Sequence, residues 1–204
     1  MTLYDLKPRF QALLRPGVRR LAAAGVTANQ VTSAAALGSV LVAGLVARGA
    51  AGGGRREFLL VPLWMFARMA LNAVDGMLAR EFGQQSRLGG YLNELGDVVS
   101  DAALYAPFAL LPPLGPAGVG LVVVLALLTE YAGVLGAWIG AGRRYDGPLG
   151  KSDRAFVFGA LGLWAGLGGP LPAWLGWALP LALAPLLLAT AANRVRAGLA
   201  ARSA

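Results

Sequence analysis

Residues 72–80 read Asn-Ala-Val-Asp-Gly-Met-Leu-Ala-Arg, and residues 89–101 read Gly-Gly-Tyr-Leu-Asn-Glu-Leu-Gly-Asp-Val-Val-Ser-Asp. Both stretches lie within runs that are otherwise apolar. An ionisable group inside a membrane span costs roughly 2.5 to 3.5 kcal/mol on insertion scales, so each one calls for a partner or a function. Asn72 and Asp75 are three residues apart, while Asn93, Asp97 and Asp101 step by four, so on helices each set occupies one face. Two antiparallel helices joined by a short loop can turn those faces toward each other. Carboxylates at one depth repel unless they are protonated or bridged by a cation, and an all-oxygen set without His or Cys suits Mg²⁺, Mn²⁺ or Ca²⁺. Gly76 and Ala79, on the side of Asp75, admit either a closely packed helix or a nucleotide.

The rest of the chain makes the membrane reading general. Of 204 residues, 57% are hydrophobic and 14% charged, which is too apolar for an ordinary soluble domain of this size. Apolar runs separated by polar, Gly-rich and Pro-rich breaks predict spans near 30–50, 57–80, 89–112, 117–142, 154–169 and 173–193. The expected fold is therefore an all-α integral membrane protein of six transmembrane helices over 24–204. Residues 1–23 interleave Leu3, Leu6, Phe10, Leu13 and Leu14 with basic residues, which fits an N-terminal amphipathic interfacial helix or a simple basic topology signal.

With the N-terminus inside, 14 of the 18 Lys and Arg residues fall on the cytoplasmic side, so both termini are expected there, in the inner (cytoplasmic) membrane. The net charge of +8 has no nucleic-acid motif beside it and suits anionic lipid headgroups instead. With no Cys and no His, disulfides, thiolate chemistry and an imidazole base are excluded, and acid and base work falls to carboxylates.

On these residues the chain resembles the CDP-alcohol phosphatidyltransferase family, whose signature runs Asp-x-x-Asp-Gly-x-x-Ala-Arg, eight residues, Gly-x-x-x-Asp-x-x-x-Asp. The matching positions here are Asn72, Asp75, Gly76, Ala79, Arg80, Gly89, Asn93 and Asp97, with the spacing intact. Thr27-Ala28-Asn29-Gln30-Val31-Thr32 before the first span and a basic loop before the fifth add to the likeness. The resemblance implies a metal-dependent transferase of phospholipid biosynthesis. It would move a phosphatidyl group from CDP-diacylglycerol or a related CDP-lipid to a small alcohol, with or without a phosphate of its own, and release CMP.

The resemblance makes Asp97 the general base and Asp75 a metal ligand, with Gly76, Ala79, Arg80 and Gly89 around the cytidine diphosphate and Mg²⁺ or Mn²⁺ as the cofactor. It also implies homodimers, in which members of the family commonly pair. The first and third aspartates of the pattern are Asn72 and Asn93 here, so two metal-bridging anions have become neutral amides. Three outcomes are open: Glu94 and Asp101 join Asp97 in holding two ions, one ion suffices, or the chain is a catalytically silent lipid- or nucleotide-binding member of the fold. A small ion-coupled transporter is a further alternative, but it predicts inverted repeats, and none is evident.

Four basic residues of the loop before the fifth span, Arg143, Arg144, Lys151 and Arg154, stand where a phosphorylated acceptor or lipid phosphate would enter, and Arg87 joins them. Gly150-Lys151-Ser152 is not a P-loop, because Tyr145 stands where that motif needs a glycine. Arg68 and the acidic Asp101 and Glu130 each fall roughly 18 to 20 Å from the cytoplasmic end of their spans, so Arg68 is expected to pair with Glu130 or Asp101.

Overall fold

A computed structural model describes residues 3–201, with side chains from Pro8 onward; Leu3, Leu6, Lys7 and Arg202, which entered the reading of the two ends, lie outside the described side chains. Seven α-helices occur among the described residues: α1 Leu3–Ala23, α2 Ala28–Ala51, α3 Leu60–Glu81, α4 Arg87–Tyr105, α5 Pro116–Trp138, α6 Lys151–Gly166 and α7 Leu175–Ala200. Short 3₁₀ turns at Arg56–Leu59 and Ala106–Leu110 precede α3 and follow α4.

The protein is an all-helical, multi-pass membrane protein, and four segments are long and apolar enough to cross a bilayer: α2, Arg56–Glu81, α5 and α7. Each of the six expected spans overlaps a helix, although 89–112, 117–142 and 154–169 run past the helix ends at Leu110, Trp138 and Gly166, and two of the helices do not meet that measure. α4 is interrupted by Glu94, Asp97 and Asp101, and α6 has only 16 residues. α7 also continues to Ala200, beyond the expected end at residue 193.

The chain forms two compact units: one runs to Leu41 and resumes over Leu63–Ser100, and the other comprises Val42–Pro62 and Asp101–Ala204. In the first, α1 is held by Val18, fully buried against Ala28, Val31, Val74, Met77 and Leu78. The start of α2 is a capping box: the Thr27 hydroxyl accepts from the Gln30 backbone N–H at 3.2 Å, and the Gln30 side chain accepts from the Thr27 N–H at 2.9 Å. Gln84, from the loop after α3, accepts from the Ala28 N–H at 2.7 Å and donates to the Val26 carbonyl at 3.4 Å. That clamp fixes the α3–α4 turn against the head of α2.

In the second unit α5 packs along α7, and the Arg56–Leu59 turn packs on α6. The Gly-rich character of α6 has a steric cause. A Cβ on Gly162 would stand 3.0 Å from the Phe58 carbonyl oxygen, and one on Gly166 would stand 2.6 Å from the Leu59 side chain. Tyr105 stacks on Phe158 at 4.1 Å, and Phe108 meets Phe58 and Phe158 edge-on at 4.9 and 5.2 Å.

The loop between α5 and α6 is tied down at Thr190, whose hydroxyl accepts from the Leu149 N–H at 3.0 Å. Gly147 there has φ 129°, and a Cβ on it would lie 2.6 Å from the Thr190 Cα. Gly147→Ala therefore combines backbone strain with a clash against main chain, and is expected to cost about 1–3 kcal/mol. The check is the unfolding midpoint in detergent, and an unchanged midpoint contradicts it.

Candidate active site

α2, α3, α4 and the α3–α4 loop of the first unit enclose a cavity of about 350 Å³. Asn72, Asp75, Gly76, Ala79 and Arg80 reach it from α3, because their spacing follows the helical repeat. Gly89, Gly90 and Asn93 reach it from α4, where Ser86 begins the helix by accepting from the Gly89 N–H at 2.9 Å. Ala28, Asn29 and Thr32 line it from α2, and Gln84, Gln85 and Ser86 from the loop. Seven of the eight signature positions thus share one cavity.

Among the described residues Asp75 is the one carboxylate of the lining, and it is 6% exposed. The Thr32 hydroxyl donates to it at 2.8 Å. Gly76 leaves room for Arg80, whose guanidinium lies 2.7 Å from where a Cβ on Gly76 would be. Gly89 does the same for Asn29, whose amide oxygen lies 2.8 Å from the corresponding point.

Asp97 does not line the cavity. Its carboxylate accepts from Arg68 at 2.9 Å, and the same guanidinium nitrogen reaches the Asp97 carbonyl at 3.2 Å. Arg68 therefore pairs with Asp97, a partner that the depth argument did not name. Equal depth leaves several partners open, and proximity between adjacent helices selects among them. The pair is shielded, with side chains 7% and 24% exposed.

Other expected site residues lie elsewhere. Glu94 is half-buried and Arg87 exposed, and neither lines the cavity. Asp101, expected to help hold metal, meets Arg154 at 3.3 Å in the second unit, and Arg154, expected to bind phosphate, is 1% exposed there. Arg154 also reaches Glu130 at 2.8 Å, and Arg143 reaches the other Glu130 oxygen at 2.7 Å. Arg143 stands 4.8 Å over the Tyr145 ring as well. Arg144 binds Asp146 through two hydrogen bonds at 3.0 and 3.1 Å, which hold the Asp146 carboxyl below its ordinary pKa. Lys151 opens α6 and is half-buried.

The polar lining from α2 and the loop was not assigned from sequence. The Thr27–Thr32 segment was a visible signal, but what carries it to the α3–α4 turn is the Gln84 clamp, a long-range contact with no local pattern. Among the described residues no group of three acidic side chains converges to hold a metal. The oxygen donors of Asp75, Asn72 and Asn93 fit a hard divalent cation in kind.

Known proteins resemble this chain in sequence and in fold. The inner membrane protein YnbA of Escherichia coli (strain K12) is 50% identical over 198 residues, 96% of each chain. The phosphatidylinositol phosphate synthase of Mycobacterium tuberculosis has a similar fold. Its complex with manganese and citrate gives a TM-score of 0.72 at 22% identity, over 91% of this chain and 88% of that one. Its structure with CDP-DAG bound gives 0.70 at 22% identity, over 91% and 92%. The family model described as CDP-alcohol phosphatidyltransferase matches residues 25–190. With its signature gathered on one cavity and most of its length matched, the chain belongs to the CDP-alcohol phosphatidyltransferase family.

Proposed function

We propose that this protein transfers a phosphatidyl group from CDP-diacylglycerol or a related CDP-lipid to the hydroxyl of a small alcohol, releasing CMP. The observation that carries the reading is the convergence of Asn72, Asp75, Gly76, Ala79, Arg80, Gly89 and Asn93 on one cavity. Gly76 and Ala79 keep the α3 wall low enough for a nucleotide, and Arg80 offers a forked donor to its phosphates. Asn29, Thr32, Gln84 and Gln85 offer uncharged hydrogen-bonding groups suited to a nucleoside.

Asp75, Asn72 and Asn93 would hold one Mg²⁺ or Mn²⁺. A bound divalent ion would neutralise charge on the diphosphate, the main requirement of phosphoryl-type transfer. Asp97 takes the proton of the acceptor hydroxyl as its oxygen bonds to the lipid-linked phosphorus. The bond from that phosphorus to the CMP oxygen breaks, and CMP leaves with the electron pair. Arg68 acts as a positioning residue that holds the Asp97 carboxylate in one rotamer.

The same reading takes α2 to α7 as six crossings within one catalytic domain over 24–204, with α1 on the inner leaflet and both termini and the cavity facing the cytoplasm. The distribution of Lys and Arg supports that orientation. A homodimer is part of the proposal.

The test is CMP release by purified protein from CDP-diacylglycerol with a panel of alcohols. Turnover should require Mn²⁺ or Mg²⁺ and stop when EDTA removes it. Asp97→Asn should lower the rate about 100-fold, at the low end of what a positioned base contributes. The pairing of Asp97 with Arg68 and the amides at 72 and 93 favour one second reading, a silent member that binds CDP-lipid. It requires CDP-lipid binding without CMP release under any metal.

A further inference from the structure

We propose that Thr32 is a positioning residue: its hydroxyl fixes the Asp75 carboxylate in the orientation that receives a divalent cation, and so sets the affinity of the cavity for that ion. This deepens the reading of Asp75 as a metal ligand and rests on it.

Three helices of the first unit meet at Thr32. Its hydroxyl donates to Asp75 Oδ2 on α3 at 2.8 Å, and the same oxygen lies 3.0 Å from the Ala28 carbonyl one turn back on α2. Its methyl group packs toward α4, where a Cβ on Gly96 would stand 3.9 Å from it and 3.6 Å from the Ala36 methyl. Gln84 sets the register of this turn of α2, since it binds the Ala28 N–H at 2.7 Å and the Val26 carbonyl at 3.4 Å. A slip by one residue would rotate α2 by about 100° and carry Thr32 away from Asp75.

A hydroxyl has one proton to donate, and two acceptors stand within reach of this one. The carboxylate is charged and nearer, so the proton goes to Asp75. Bonding back to a carbonyl four residues earlier does not strengthen a helix, and valine would fill the same space beside Gly96 and Ala36. Asp75 is therefore what the hydroxyl serves. Asp75 is 6% exposed, and a carboxylate turns about its last torsion in a broad two-fold well. Anchoring one oxygen fixes the plane of the group and gives the other oxygen a set direction. Hydrogen bonds of this kind, made to a ligand from outside the ligand set, typically carry about 10- to 100-fold in metal affinity.

The experiment titrates Mn²⁺ into the purified full chain in detergent and follows the loss of the free-ion electron paramagnetic resonance signal. Thr32→Val, which keeps the shape and removes the donor, should bind Mn²⁺ about 10- to 100-fold more weakly than wild type. Thr32→Ser should bind close to wild type, and Thr32→Ala as weakly as Thr32→Val. With CDP-diacylglycerol and an alcohol, the Mn²⁺ concentration for half-maximal CMP release should rise by the same factor in Thr32→Val. Most of the maximal rate should return at saturating Mn²⁺. A hydroxyl with a structural role alone would shift the unfolding midpoint and leave the Mn²⁺ affinity of the folded protein in place.

Thr32→Val binding Mn²⁺ as tightly as wild type, or Thr32→Ser binding as weakly as Thr32→Val, overturns the proposal. If Thr32→Val does not fold, Thr32→Ser against Thr32→Ala decides, because those two also differ only in the hydroxyl. No Mn²⁺ binding by wild type overturns the ion and the role of Thr32 together. Mn²⁺ binding without CMP from any alcohol removes the transferase reading instead, and the affinities still decide the role of Thr32.

Discussion

Asp75→Asn is expected to lower CMP release about 1,000-fold without unfolding the protein. The side chain keeps its shape, and its amide oxygen still accepts from the Thr32 hydroxyl that stands 2.8 Å from the carboxylate. What disappears is the one negative charge of the cavity lining. In most signature positions of this kind a neighbouring aspartate could share the loss, but here the neighbours at 72 and 93 are already amides. Removing electrostatic stabilisation worth several kcal/mol corresponds to two to four orders of magnitude in rate, and the lack of a substitute anion puts this change well inside that range. The check is a steady-state rate across Mn²⁺ concentrations beside an unfolding midpoint. Turnover near the wild-type level removes Asp75 from the metal role.

The largest effect on stability is expected at Arg154→Ala. Arg154 is 1% exposed and binds Asp101 and Glu130, both buried carboxylates. Glu130 keeps Arg143 and Arg194, while Asp101 loses the guanidinium that stands 3.3 Å away. Breaking one side of a buried pair leaves an uncompensated charge and typically costs 3–5 kcal/mol. Arg15→Ala provides the contrast. Its bidentate pair with Glu81 has side chains 38% and 37% exposed, where solvent screens the charges and such pairs add little to stability. Detergent unfolding midpoints of the two variants should therefore differ strongly, and equal small shifts would show that Arg154 is not structural.

Arg154 also shows why parts of the site were illegible in the sequence. Its position in a basic loop near a helix start reads as a cytoplasmic phosphate binder, yet the side chain turns into the second unit. Arg68 shows the same limit from the other side, since counting residues from a loop gives depth but not azimuth or partner. Asn29, although it lies in the Thr27–Thr32 segment, and Gln84 had no legible role for a further reason: neutral polar residues outside a span carry no energetic warning. Only the contact between them and the signature helices gives them a role.

What the linear order of residues determined alone is the helical, membrane-embedded character and the face shared by Asn72, Asp75, Gly76 and Ala79. Hydropathy and the helical repeat are local, so a few turns of sequence suffice to express them. Tertiary structure alone decided which cation neutralises which acid: Arg68 with Asp97, and Arg154 with Asp101 and Glu130. An ion pair is a choice among several partners at similar depth. Differences in distance of an ångström or so settle that choice, and they exist only once distant segments have packed.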